Sequence, residues 1–308
     1  MSEMHDLIVS STEKILKDYC VKELLDQADN GNWSQELWEV LVEAGITLIG
    51  IPEEINGVGG DYIDAFHILR LMGTYAAPVP LAETLIVNWL ITEYGLQPTV
   101  DPVTIAENEP LNVSKTEKSY DVSGVLTNVP YARFATKVLA KAVIDDEEVT
   151  VLVDLTSAEI IEKRSLSGEP LDTVIFDNTN VYLDVIDVAH SQYDDETLEL
   201  GALARATMIS GAMERILDLS IQYTSEREQF GRPLNRLQAI QQHLSILAGE
   251  TAATLAVTNK AIDAYQNGVQ KEYIAYAKVQ ANDATTKFVG IAHQIHGAIG
   301  ATYEHILH

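Results

Sequence analysis

Cysteine is nearly absent: Cys20 is the single one in 308 residues, so no internal disulfide can form and the chain reads as one from a reducing compartment. A lone cysteine is ordinarily a small buried apolar side chain rather than a nucleophile. Positive charge is scarce as well, with 20 Lys and Arg against 46 Asp and Glu, a formal charge of −26. That balance excludes nucleic acid and anionic membrane surfaces as partners, because both require a cationic face. Long apolar runs are missing. The most hydrophobic stretch, PLAETLIVNWLITEYGL, carries Glu83 and Glu93, so no membrane span is expected. The amino terminus MSEMHDLIVSSTEKILKD is acidic from the start and lacks the basic region, apolar core and cleavage site of a signal peptide. These absences point to a cytoplasmic chain.

What is present is a globular composition, 46% hydrophobic and 21% charged, long enough for two or three domains. Residues 1–100 read as a helical domain. SQELWEVLVEAGI places Leu37, Val40, Leu41 and Ala44 on one stripe, with Ser34 as cap and Gly45 as stop. DYIDAFHILRLMGTYA repeats the pattern and is expected to end at Gly73, and APVPLAETLIVNWLITEYGL opens a third helix. Residues 101–190 change character: KVLAKAVI, VTVLVDL and DTVIFDNTNVYLDVIDV are β-branched runs separated by turns, a small β domain. From residue 191 the helical period returns in three long segments, read as a C-terminal bundle.

Few constellations in this chain carry chemistry. The acidic runs at 145–148 and 194–196 sit in turn-like contexts and read as solvated surface. His293, His296, Glu304, His305 and His308 cluster late, but a carboxylate-bridged metal bundle needs a second Glu-x-x-His facing the first, and none stands at a matching place. No metal is expected. GVGG and GAIG lack the strand-then-helix setting of a dinucleotide loop. There is no Gly-x-Ser-x-Gly elbow and no Cys–His pairing for acyl transfer.

Charge is also unevenly placed. Residues 221–308 hold seven basic and seven acidic residues, so the whole excess of 26 lies before them. A neutral segment in so acidic a chain spares an anionic ligand repulsion; a helical core with little surface to charge would look the same. Within it, REQFGRPLNRLQ offers Arg227, a planar fork suited to a pyrophosphate, and QIHGAIG offers Gln294 and a flexible Gly297.

These two segments resemble the Arg-x-x-Phe-Gly…Gln and Gln-x-x-Gly-Gly-x-Gly motifs of the acyl-CoA dehydrogenase family. LWEVLVEAGITLIGIPEEINGVGG resembles that family's entry segment, and the helix, sheet, helix order extends the resemblance over nearly the whole chain. It implies an α+β fold, mostly α: an N-terminal helical domain, a small barrel-like middle β domain and a C-terminal four-helix bundle. It implies FAD as cofactor, held between subunits of a dimer or tetramer, an acyl-CoA substrate, and an electron acceptor flavoprotein as partner. Carried over by position, Arg227, Phe230, Gln238, Gln294, Gly297 and Ala298 contact the cofactor, Ala298 standing where the family has a second glycine. Thr127, with Asn128, matches what is left of the family's Trp-Ile-Thr-Asn segment. The glutamate base has no counterpart. One family position lies past His308, and the other falls at Gly201, two residues from Glu199. No catalytic residue is therefore assigned. The resemblance implies α,β-desaturation of an acyl-CoA, with a bulky sterol-side-chain-like acyl group, by a subunit that pairs with a homologous second subunit; the alternative is a non-catalytic structural partner of such a complex.

Overall fold

In the computed structural model the described residues are 3–107, 110–117, 119–186, 190–229, 231–268, 271–302 and 306–307. Along the chain run the helices α1 (Glu3–Tyr19), α2 (Lys22–Asp29), α3 (Gln35–Glu43), α4 (Tyr62–Thr74) and α5 (Leu81–Glu93). Eight strands follow: β1 (Val103–Ile105), β2 (Leu111–Lys115), β3 (Tyr120–Pro130), β4 (Lys137–Ile144), β5 (Glu147–Asp154), β6 (Glu159–Ile161), β7 (Leu171–Val181) and β8 (Leu183–Ile186). The chain then enters α6 (His190–Glu226), a two-stranded ribbon of β9 (Glu228–Gln229) and β10 (Arg232–Pro233), α7 (Gln238–Gln266) and α8 (Lys271–His296). The fold is α+β and mostly α, with helices at both ends of the chain and a mixed sheet in the middle. Contacts gather it into two compact units, Met1–Lys22 with Tyr62–Ala77 and Ala202–His308, and Glu23–Asp61 with Pro78–Gly201.

The unit centred on the sheet is built on strand alternation. The order is β6-β7-β3-β2-β4-β5-β8, with β1 parallel to β4. Residues two apart on each strand, such as Val138, Ala140 and Ala142 of β4, Val151 and Val153 of β5, and Val174 and Phe176 of β7, join one buried cluster. Leu111, Val113, Val122, Leu126 and Val129 complete it. The sheet thus wraps its own core in barrel-like fashion, each large apolar side chain contributing about 1.5–3 kcal/mol by burial. Register breaks between Val122 and Gly124 and again between Leu126 and Val129 bend the long β3. Nearby, α5 is buried from Leu81 to Ile91, polar side chains included. Two of these bond to backbone: Thr84 Oγ1 donates to the Val103 carbonyl (3.3 Å), and Asn88 Nδ2 donates to the carbonyls of Thr47 (3.2 Å) and Thr99 (2.8 Å).

In α3 the buried stripe is Leu37, Trp38 and Leu41. Val40 is half-buried and Ala44 exposed, so the core face is rotated toward Trp38, whose area outweighs alanine's. Ser34 takes the N-cap position without a side-chain capping bond, and Gly45, at φ +73°, ends the turn as expected.

The helical unit assembles α1, α4, α7, α8 and α6 from Ala202 onward. Met213, Leu247, Ala284, Phe288, Ala292 and Ile295 form its core among the last three helices. Gly73 does not end α4, which runs on to Thr74. It serves a crossing instead: a Cβ at Gly73 would collide with the Met208 carbonyl, and one at Gly211 with the Arg70 carbonyl. One glycine on each helix therefore lets α4 and α6 approach backbone to backbone.

Candidate functional site

The stretch between α6 and α7 is a ribbon held by its own backbone. The Arg227 N–H donates to the Tyr223 carbonyl (2.9 Å), and the Leu234 N–H donates to the Arg227 carbonyl (2.9 Å). Arg232 pairs with Gln229 across the ribbon, and Gly231, at φ +77°, turns it. Asn235 Nδ2 donates to Ser225 Oγ (3.0 Å), and Gln241 Nε2 donates to the Asn235 carbonyl (3.0 Å), stitching the end of α6 to the start of α7. The Arg227 side chain is exposed, and among the described residues it has no hydrogen bond or ion pair. Phe230 lies outside the described residues.

Gln238 is the first residue of α7 and exposed. Leu237 caps that helix without a side-chain hydrogen bond, which leaves first-turn N–H groups of a 29-residue helix pointing outward with the positive end of its dipole. Gln294, Gly297 and Ala298 are exposed at the end of α8 and in the 3-10 turn Gly297–Ala301 that follows. Gly297 has φ +65°, and a Cβ there would meet nothing within 4 Å. Gly300 is the crowded member of GAIG: a Cβ would come within 2.8 Å of His296 Cβ and 2.9 Å of Leu307 Cδ2.

Two contacts bring these pieces to one end of the unit. Tyr223, one turn before Arg227, stacks on His296 at 4.8 Å between ring centroids, and His296 directly precedes Gly297. Lys287 Nζ lies 3.4 Å from Glu250 Oε1, so nine residues toward this end of the two opposed helices His296, the last residue of α8, comes level with Gln241, about one turn from Gln238. Arg227, Gln238, Gln294, Gly297 and Ala298 thus share one end, although about sixty residues of chain separate the two groups. Thr127 belongs to the other compact unit, exposed on the second irregularity of β3 beside Asn128, which has φ +55°.

The remaining sequence candidates separate from this site. Cys20 is buried, and burial pushes its thiol up to about 12, so it is no nucleophile at neutral pH. Gly201 lies on α6 with open space where a side chain would begin. Among the described residues no three His, Cys, Asp or Glu side chains converge as a metal site; Glu304, His305 and His308 lie outside the described residues. Among the described residues no helix is long and apolar enough to cross a membrane.

Sequence comparison decides the family. The acyl-CoA dehydrogenase N-terminal domain matches residues 2–98, and the acyl-CoA dehydrogenase C-terminal domain matches residues 192–308. The chain belongs to the acyl-CoA dehydrogenase family. Acyl-CoA dehydrogenase IpdE2 of Mycolicibacterium smegmatis is 27% identical over 99% of this chain and 90% of its own. Among solved structures, a chain of the Tcur3481-Tcur3483 steroid ACAD superposes with a TM-score of 0.87 at 23% identity, covering 99% of this chain and 90% of that one. A chain of the ChsE4-ChsE5 complex from Mycobacterium tuberculosis gives 0.86 at 20% identity, covering 100% and 90%.

Acyl-CoA dehydrogenases are FAD-dependent oxidoreductases, and the donor set at this end of the helical unit fits that cofactor. An uncommitted guanidinium, an uncapped helix amino terminus and two exposed amides suit a diphosphate and its flanking ribose. The open backbone at Gly297 admits a ligand at close range.

Proposed function

We propose that this acyl-CoA dehydrogenase is one subunit of an assembly of two homologous subunits, and that its Arg227 end grips FAD held against the partner. Arg227 would hold the diphosphate as a charge-assisted donor. Gln238 and Gln294 orient ribose or ring edges, and Gly297 and Ala298 let the cofactor lie against backbone. Thr127, on the bent β3, is the cofactor contact assigned to the sheet unit. Bound FAD supplies the hydride acceptor for α,β-desaturation of an acyl-CoA thioester. An electron acceptor flavoprotein would be the partner that takes up the electrons.

Proton abstraction from Cα needs a carboxylate at the substrate. Position 201 is glycine, and this reading places the base on the partner subunit. A bulky, sterol-like acyl group is the favoured substrate, in keeping with the steroid acyl-CoA dehydrogenase whose fold this chain shares. The exposed, unpaired Arg227 carries the reading. The glycine at 201 favours a second one, a non-catalytic structural partner, and one variant separates them. In the complex co-purified with a homologous subunit, Arg227→Ala is expected to lower flavin absorbance per protein and to weaken FAD by about 1.5–3 kcal/mol, the worth of a charged hydrogen bond, while the complex stays assembled. Unchanged flavin content and activity would reject the flavin-gripping role and leave the structural one.

A further inference from the structure

A cluster far from the flavin end joins α1 to α4. His5 Nδ1 makes a short contact with Asp64 Oδ1, and His5 Nε2 lies 3.1 Å from His67 Nδ1. The two imidazoles meet edge to face at 4.9 Å. His5 is 6% exposed and Asp64 8%, so neither is a surface pair. With the Asp64 carboxylate accepting from the His5 Nδ1–H, His5 Nε2 is left as an acceptor and the His67 Nδ1–H donates to it. This order holds while each ring carries one proton. A second proton on His67 places a cation in this half-buried seam beside Arg70.

A cavity of about 340 Å³ opens along the same seam, walled by His5, Val9, Ser10 and Glu13 of α1 and by His67 and Arg70 of α4. Water therefore reaches the seam without unfolding the bundle. α4 itself is anchored independently of α1: Arg70 Nη2 donates to Asn259 Oδ1, and the Tyr62 N–H donates to Gln266 Oε1 (3.0 Å), both on α7. From Gln238 to Asn259 is about 30 Å along α7, so the cluster is remote from Arg227.

We propose that His5, Asp64 and His67 form an acid-sensitive clasp, in which protonation of His67 releases α1 from α4 while the rest of the helical unit stays folded. The groups facing His67 are Asp64 and Arg70 on its own helix, His5 on α1 with Asp6 and Glu13 on the cavity wall, and Asp263 on α7, with Glu214 of α6 beyond Arg70. Burial, Arg70 and His5 oppose the proton; Asp64 and Asp263 favour it. The opposing effects win and lower His67 from 6.5 to about 4. A group whose pKa is depressed in the docked state stabilises docking fully above its free value. That stability is lost as pH falls from about 6.5 toward 4.

The test is hydrogen exchange on the full-length purified chain at pH 7.5 and 5.0, corrected for intrinsic rates. Linkage makes opening of α1 at least about tenfold more frequent at the lower pH, so protection over residues 3–19 falls by that factor while α7 and α8 keep theirs. His67→Phe keeps a ring against His5 and removes the titration, and its α1 protection is expected to change less than about threefold over the same interval. An α1 protection independent of pH overturns the clasp. So does an unchanged acid response in His67→Phe, which would move the switch to a carboxylate. Should that variant not fold, the Hε1 resonance of His67 in the unmodified protein decides: a midpoint at or above 6.5 sinks the proposal.

Discussion

Asp172 is fully buried and accepts from the Arg133 N–H (3.0 Å), from Arg133 Nε (3.1 Å) and Nη2, and from the Lys163 N–H (3.0 Å). The Arg133 side chain, 6% exposed, also meets Glu162 at 2.7 Å. A carboxylate so committed holds the turn after β3 against the start of β7. Removing it leaves a buried guanidinium with the Lys163 carbonyl (2.7 Å) and one solvated carboxylate, Glu162, as its partners, so Asp172→Ala is expected to cost about 3–5 kcal/mol. The urea midpoint should fall at unchanged slope; a loss below about 1 kcal/mol would show that the network is not structural. Neither residue stands out in the sequence, because the pair is 39 positions apart and sits in turn-like surroundings. Cys20 is the contrary case, since a lone cysteine among helical apolar residues already reads as core. His5, Asp64 and His67 resemble Asp172: each is an ordinary polar residue on a helix until a partner 59 or 62 positions away is placed beside it.

Helix periodicity and β-branched runs locate most elements, but not what the glycines do. Gly73 reads as a helix stop, yet its role is to admit the Met208 carbonyl, just as Gly211 admits that of Arg70. Gly211→Ala is therefore expected to cost about 1–3 kcal/mol through overpacking. Gly249, exposed on α7 with nothing within 4 Å of the place a Cβ would take, provides the control. There alanine should stabilise by about 0.4–1 kcal/mol through helix propensity and a narrower unfolded ensemble. Equal melting shifts for the two variants would contradict the close crossing. The preface to α7 behaves differently, because its signals are local. Gly231 and Pro233 within a polar run already announce a turn, and the ribbon with its left-handed Gly231 supplies it. Its consequence, Arg227 on an exposed ledge beside an uncapped helix end, depends on the stacked Tyr223 and His296.

For the whole molecule, the charge excess of 26 lies outside residues 221–308, and that neutral segment carries the donors proposed for FAD. If the cofactor is gripped between subunits, flavin retention should depend on the partner. Co-expression with a homologous subunit is expected to yield a complex with flavin absorbance well above that of this chain purified alone; equal flavin in both preparations would argue for a site complete within one kind of chain. The sequence by itself determined the class of the fold and the family, and it supplied the residues proposed to meet a diphosphate. Those properties follow from periodicity, composition and short motifs, all local along the chain. Tertiary structure decided that Arg227 and Gly297 share one end of a bundle, that Gly73 marks a crossing rather than an end, and that two histidines and an aspartate form a buried clasp. These depend on which distant residues pack together, and packing is settled by shape and burial across helices rather than by any pattern within one.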